Sequence, residues 1–287
     1  MSEPAMIRLG IASSSIDLPL RKSLAEAARL GAAGVQLDAV GELSPDQLSQ
    51  SGRREIRAIL RSLNLELTAV YCPLRRGLDT ATDLEPRIER IKKVMSLTYD
   101  LGARITIVPL PPIPRESEDK PPSLGVSAGG ILLGRSPRRE SPDVVLREAL
   151  GDLGAHGDRI GTLLALDAGV DPPEKLAAYL GSFDTGALHL HFDPANYLSH
   201  GHDPMMAVAC LSNRIVHVQA REVRRGASGQ FVEVPLGAGD IDWMTLIAVL
   251  DSTGYRGWVV VKRTEGADRL GDLRQGLEIL RRFIRQS

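Results

Sequence analysis

Along the chain, short apolar runs rich in Val, Ile and Leu alternate with longer stretches whose apolar residues recur at helical spacing. Runs of the first kind read as buried strands, and stretches of the second as amphipathic helices. Strands are predicted over 7–13 (IRLGIAS), 34–40 (GVQLDAV), 65–73 (LELTAVYCP) and 104–110 (RITIVPL). Four more are predicted over 162–169 (TLLALDAG), 187–196 (ALHLHFDPAN), 214–222 (RIVHVQARE) and 258–264 (WVVVKRT). Helical patterns fill the intervals at 20–34, 87–103, 242–254 and 270–284. Start signals mark the others. SPDQ (44–47) offers Ser44 as N-cap, Pro45 at the first helical position and Gln47 to close a capping box. Ser141-Pro142 opens a helix running to about Gly157, Asp171-Pro172 with Glu174 caps another, and Asp203-Pro204 opens a third.

Strand and helix thus alternate eight times within the length of one domain. That rhythm predicts an α/β fold, a (β/α)8 TIM barrel forming a single domain over residues 1–287. A doubly wound open sheet is the alternative. It calls for a G-x-G-x-x-G turn after an early strand, and none follows LGIASSS. The glycines of PLGAGD (235–240) read as a turn. One stretch breaks the rhythm: 111–140 is rich in Pro, Gly and charge and is too long for an ordinary connection. It reads as an inserted surface loop. Its place after a strand makes a lid over a site the sharper alternative.

Composition narrows the partners. A formal net charge of -1 provides no field for nucleic acid or an anionic membrane, and 4% aromatic residues argue against a base-stacking platform. Cys72 and Cys210 lie far apart and in no metal-type spacing, so a reducing compartment is expected. The opening MSEPAMIRLG has no secretory pattern, and no apolar run is long enough to span a bilayer. A cytoplasmic protein is expected, with a small-molecule partner, no nucleic-acid or membrane partner, and room for homo-oligomerisation.

In such a barrel chemistry sits where the strands end at their C-termini. The polar residues there are Gln36 and Asp38 on the second strand, Tyr71 and Cys72 on the third, and Asp167 on the fifth. His189, His191 and Asp193 alternate on the sixth strand and so share a face, as do His217 and Gln219 on the seventh, followed by Arg221 and Glu222. Lys262, Arg263 and Glu265 close the eighth. Carboxylates, imidazoles and amides at consecutive strand ends suit either an oxygen-and-nitrogen metal cage or an acid–base set. A charge network without chemistry uses the same residues. Cys72 is either a nucleophile or a small packed hydrophobe, and His200 and His202 read as solvated.

The pieces LALDAG, LHFDPANYLSHGHDP, RIVHVQARE, VEVPLGAGDIDW and GYRGWVVVKRTEG, with GVQLDA in the first half, carry a resemblance over nearly the whole chain. They resemble the xylose-isomerase-like TIM barrels, the sugar phosphate isomerase/epimerase family that also takes in endonuclease-IV-like enzymes. The resemblance implies a divalent metal such as Zn, Mn or Mg, held by a glutamate, an aspartate, a histidine and a glutamate after strands five to eight. The glutamates would also move protons. The corresponding residues are Asp167, Asp193, Gln219 and Lys262, so one of these four positions keeps its expected residue. Gln36 stands where the resemblance implies a second-strand glutamate, and Cys72 near an expected histidine.

A lysine carries donors and no free lone pair, so Lys262 is not a metal ligand. Two aspartates with one lysine carry the same net charge, -1, as three carboxylates with a divalent ion. Lys262 is therefore expected to replace the metal and bridge Asp167 and Asp193, with no cofactor. Two functions follow. One is a sugar or sugar phosphate isomerase/epimerase-like protein acting on a small sugar or polyol, with Asp167 as base and Lys262 as electrophile. The other is a catalytically inactive sugar-binding or regulatory homologue. In either case Gln36, Asp38, Cys72, His191, Asn196, Arg221 and Glu222 are the expected substrate contacts. A metal-dependent nuclease is disfavoured, since it needs more ligands and a basic groove.

Overall fold

The run Trp258-Val259-Val260-Val261 lacks polar groups because the strand it forms is covered on both faces. Its seven fellow strands are likewise covered on both faces over most of their length, and together they close on themselves. The computed structural model, which describes residues 7–114 and 141–284, is a closed parallel barrel. In chain order its strands are β1 (Arg8–Ala12), β2 (Gly34–Asp38), β3 (Glu66–Tyr71), β4 (Ile105–Pro109) and β5 (Leu163–Asp167). They continue with β6 (Leu188–Phe192) and β7 (Ile215–Ala220); an antiparallel hairpin of β8 (Glu222–Arg225) and β9 (Phe231–Val234) intervenes, and β10 (Trp258–Val261) closes the ring between β7 and β1. The TIM barrel expected from the alternating pattern is the observed fold. Of the 111–140 insertion, residues 115–140 lie outside the described residues, and so does the lid assigned to them.

The outer layer comprises α1 (Leu20–Arg29), α2 (Gln50–Ser62), α3 (Leu84–Asp100), α4 (Pro142–Ile160), α5 (Pro173–Gly181), α6 (Pro194–Ser199), α7 (Pro204–Leu211), α8 (Trp243–Ser252) and α9 (Arg269–Ile284). The main core lies between these helices and the outward face of the barrel, and is built of Leu, Ile and Val. No helix among the described residues is long and apolar enough to cross a membrane.

Several start signals behave as predicted. Ser141 accepts the amide of Val144 with Pro142 at the first helical position, and Asp203 accepts that of Met205. Others do not. Ser44 only closes a turn through its carbonyl, and α2 begins later, capped by Ser49, whose hydroxyl accepts from Gly52. Asp171 does not cap α5. Its carboxylate accepts the amide of Ile113 and pairs with Lys175, a tertiary contact that outcompetes the local one. The strand predicted over 187–196 stops at Phe192, because Asp193-Pro194 is itself a helix start: Asp193 accepts the amide of Ala195 and opens α6. The strand predicted over 214–222 breaks at Arg221.

The barrel interior is narrow and sets its own demands. Trp258 points inward at the N-terminal end, and glycines on β1 and β2 make room for what lies beside it. A Cβ on Gly34 would lie 2.6 Å from the Thr68 methyl and 2.7 Å from the indole, and one on Gly10 would lie 2.9 Å from the Gly34 carbonyl oxygen. Above this layer pack Ala12, Ala69, Ile107, Ala165 and Val260. Gly34→Ala is expected to cost about 1–3 kcal/mol through overpacking. Thr68→Ser, which removes the nearest methyl, should restore part of that loss; equal urea midpoints for Gly34→Ala and the parent would contradict this packing.

Candidate active site

Two histidines occupy the interior just below the mouth. His191 Nδ1 and His217 Nδ1 are 3.0 Å apart, and His217 Nε2 lies 3.2 Å from the Thr68 hydroxyl. The Thr68 hydroxyl donates to the Val35 carbonyl, so it accepts from His217 Nε2–H. His217 Nδ1 then accepts from His191 Nδ1–H, and the network assigns one complementary pair of neutral tautomers. Burial holds His217 down to about 3 and pushes His191 well below the ordinary histidine range, helped by His217 and Lys262. His191 thus lies beneath the mouth with Nδ1 engaged. His189, expected on the same face, sits at the other end and meets the carbonyls of Gly186 and Arg214.

At the mouth the strand ends bring Asp38, Tyr71, Asp167, Asp193, Arg221 and Lys262 together. Asp193 is buried, with both carboxylate oxygens engaged. Oδ1 caps α6 by accepting from Ala195 at 2.9 Å, and Oδ2 accepts Arg221 Nε at 2.8 Å. The same guanidinium donates through Nη2 to Asn196 Oδ1. Asn196 in turn donates from Nδ2 to Asp167 Oδ1 at 3.1 Å. Gly169, at φ +134°, leaves space for this asparagine, since a Cβ there would lie 2.7 Å from Asn196 Cβ. One chain of hydrogen bonds therefore runs Asp193–Arg221–Asn196–Asp167.

This overturns the expected bridge. Arg221, not Lys262, neutralises Asp193, and Lys262 makes no ion pair among the described residues. Arg221 is the first residue past β7, and its planar fork reaches two acceptors at once, which a lysine cannot match. Lys262 stands 5.5 Å from the centre of the Tyr71 ring, and its field favours the ionised forms of Asp167 and Asp38.

Asp167 is the most perturbed of the carboxylates. Burial and the neighbouring Asp193 charge raise it to about 7, against the pull of Lys262 and Arg221. Tyr71 is pushed up to about 12 by burial and by Asp167 and Asp38, so its hydroxyl keeps its proton. Burial also raises Asp38, opposed by Lys262. Two buried acceptors at the end of β2, Gln36 Oε1 and Asp38 Oδ1, have no hydrogen-bond partner among the described residues. Buried acceptors of this kind call for donors, such as the hydroxyls of a polyhydroxylated ligand.

The remaining expected contacts sit elsewhere. Glu222 is buried and accepts from the amides of Val223, Gly237 and Ile241 and from the Trp243 indole at 2.8 Å. It fastens the base of the hairpin to the PLGAGD turn and α8; that turn needs Gly239, where a Cβ would lie 2.3 Å from Glu222 Oε1. Cys72 is buried in the outer core, and burial raises its thiol to about 11, an unreactive state at neutral pH. Arg263 pairs with Glu233 and Asp272, while the amides of Thr264 and Glu265 donate to Glu233, tying the hairpin to the loop after β10. Gln219 donates from Nε2 to the Val260 carbonyl inside the barrel. Among the described residues, no three His, Cys, Asp or Glu side chains are grouped to hold a metal ion. Two site features escaped the sequence reading. Tyr71 was seen at a strand end without a role. Arg87 and Arg90, three apart at the start of α3, were hidden within an amphipathic pattern.

Comparison with known proteins gives the family and the fold. The family model described as xylose isomerase-like TIM barrel matches residues 24–283. The rhizopine catabolism protein MocC of Rhizobium meliloti is 27% identical over 264 residues, covering 86% of this chain and 75% of that protein. The inosose dehydratase of Geobacillus thermodenitrificans is 22% identical over 253 residues, covering 82% of each. A xylose isomerase domain protein from Planctomyces limnophilus superposes with a TM-score of 0.79 at 19% identity over 98% of both chains, a likeness of fold.

The Asp167 carboxyl makes stability depend on pH. Its folded value of about 7 lies above the ordinary value near 4, so its protonated form favours the fold and stability falls as pH rises between them. Asp167→Asn removes this dependence. The variant and the parent should be equally stable near pH 4, and the variant more stable by a few kcal/mol at pH 8. Urea unfolding at both pH values checks this; a parent that gained on the variant with rising pH would contradict it.

Proposed function

The chain belongs to the xylose isomerase-like TIM barrel family, and from that premise we propose that it moves a proton at the carbon beside the carbonyl of a small sugar or ketocyclitol, without a divalent metal. The observation that carries this reading is Asp167: a half-buried carboxyl balanced near neutrality, in the field of a lysine that makes no ion pair among the described residues. A base with a value near the working pH is the most effective proton carrier. Relatives named as an inosose dehydratase and a rhizopine catabolism protein support a small polyol-like substrate.

The donor set does not fit a divalent ion. Asp193 has both oxygens engaged, Gln219 is turned to the Val260 carbonyl, and Lys262 has no lone pair to offer. Arg221 and Lys262 together would repel a cation. The same two charges suit an oxyanion. In the proposed step Asp167 removes the proton from carbon as its electron pair moves onto the carbonyl oxygen. The Lys262 ammonium stabilises the resulting enediolate oxygen. The protonated Asp167 then returns the proton to the adjacent carbon on the same face, an isomerisation in which the proton of the neighbouring hydroxyl passes to the enediolate oxygen. Tyr71, still protonated, can donate to the same oxygen. Gln36 and Asp38 accept hydrogen bonds from substrate hydroxyls.

Solvent-deuterium exchange into a panel of ketoses and ketocyclitols, followed by NMR, tests the reading. Exchange should persist in EDTA and rise with pH through an inflection near 7, as Asp167 loses its proton. Asp167→Asn should lower it about 10²–10⁴-fold, and Lys262→Met about 10²-fold. Exchange that requires an added divalent ion, or that survives Asp167→Asn, would overturn the reading. Saturable polyol binding without exchange would assign the barrel to recognition alone. Lys262→Glu by itself should not create a tight zinc or manganese site, because Arg221 and Gln219 remain; calorimetric titration with either metal checks this.

A further inference from the structure

Beside the mouth, between the loops that follow β2 and β3 and the start of α3, lies a cavity of about 700 Å3. Its walls carry four arginines, Arg75, Arg76, Arg87 and Arg90, with Ser44 and Gln47. Its one acidic wall residue is Asp83, which reaches Arg76 at 3.5 Å across an exposed surface. A chain with a net charge of -1 thus gathers an excess of three positive charges in one concave place.

The arginines divide by role. Arg87 is pinned by backbone carbonyls, donating to Thr82 at 2.7 Å and to Thr80, and its Nε is buried with no partner among the described residues. Arg90 donates to the carbonyl of Ala39 at 2.9 Å. These two form a fixed, positive floor. Arg75 and Arg76 are exposed at the rim, and Arg75 has no hydrogen-bond or ion-pair partner among the described residues. A fixed guanidinium floor with exposed guanidinium forks above it, Arg75 unpartnered among the described residues and Arg76 held only by Asp83 at 3.5 Å, is a geometry that recognises a phosphate or carboxylate by bidentate, charge-assisted hydrogen bonds.

The cavity walls adjoin the mouth along the chain. Ala39, whose carbonyl holds Arg90, directly follows Asp38, and its amide donates to the carbonyl of Tyr71 at 2.8 Å. Pro73 of the cavity wall lies two residues past Tyr71. We infer that this cavity is an anion subsite of the barrel mouth, and that the substrate carries a phosphate group that sits there; this extends the reading of the mouth as a sugar or polyol site.

Isothermal titration of the full chain at low ionic strength tests it with three probes: inorganic phosphate, a panel of tetrose, pentose and hexose phosphates, and the same sugars without phosphate. At least one sugar phosphate should bind tenfold or more tightly than both inorganic phosphate and its own free sugar. The exposed pair Arg75→Ala/Arg76→Ala should abolish that gain and leave free-sugar affinity unchanged. Asp83→Asn, which removes the competing carboxylate, should strengthen phosphate binding severalfold. A gain that survives the double substitution, or no gain from phosphate on any sugar, overturns the subsite. Equal affinity for inorganic phosphate and every sugar phosphate overturns the assignment to substrate. Free-sugar binding and deuterium exchange report on the mouth independently, so failure of the subsite and failure of the mouth are separable.

Discussion

The Asp193 carboxylate has two oxygens, and the layout of the barrel mouth follows from where they point. One caps the short helix α6 and the other holds Arg221. Because Arg221 is held there, its second nitrogen orients Asn196, and Asn196 meets Asp167. Because Asp193 is already neutralised, Lys262 makes no ion pair among the described residues and projects its charge over Tyr71, Asp38 and Asp167. Asp193 is buried and Arg221 half-buried, so removing either partner leaves a charge without its counterpart and destabilises the mouth. The arrangement is thus tied together, although its links come from separate places: the ends of β5 and β7 and the start of α6.

The charges are layered along the barrel axis. The interior below the mouth tolerates polar groups only as neutral, mutually satisfied ones, which is why His191 and His217 pair through complementary tautomers. The mouth holds carboxylates and cations in near balance, with one carboxyl lifted to the middle of the physiological range by burial and a like charge. Outside the mouth, where water reaches the arginines, positive charge predominates.

Structure near the mouth also depends on the β8–β9 hairpin, which is not part of the barrel. Glu222 binds its base to the turn before α8, and Glu233 binds its other strand to Arg263, Thr264 and Glu265. Residues that read as mouth chemistry by their position at strand ends therefore serve a neighbouring element. Local sequence places a carboxylate at a strand end but does not say which donors a distant turn will bring to it.

What the sequence determined by itself is what depends on period and local chemistry. Eight apolar runs buried on both faces, separated by helical patterns, allow little besides a closed parallel barrel, and Ser141-Pro142 and Asp203-Pro204 mark helix starts because the capping partner lies within three residues. The position of Asp167, Asp193, Arg221 and Lys262 at strand ends was legible for the same reason. Only the tertiary structure decided which of them pair. Asp193 could meet Lys262 or Arg221 with equal charge balance, and the choice rests on reach and on the fork geometry of a guanidinium. Asp171 was drawn from its helix by Ile113, and the hairpin's anchor at Glu233, the neutral histidine pair and the arginine cavity all join residues far apart in the chain. Contacts of that kind leave no period in the sequence, because the distance that matters to them is measured across the barrel and not along the chain.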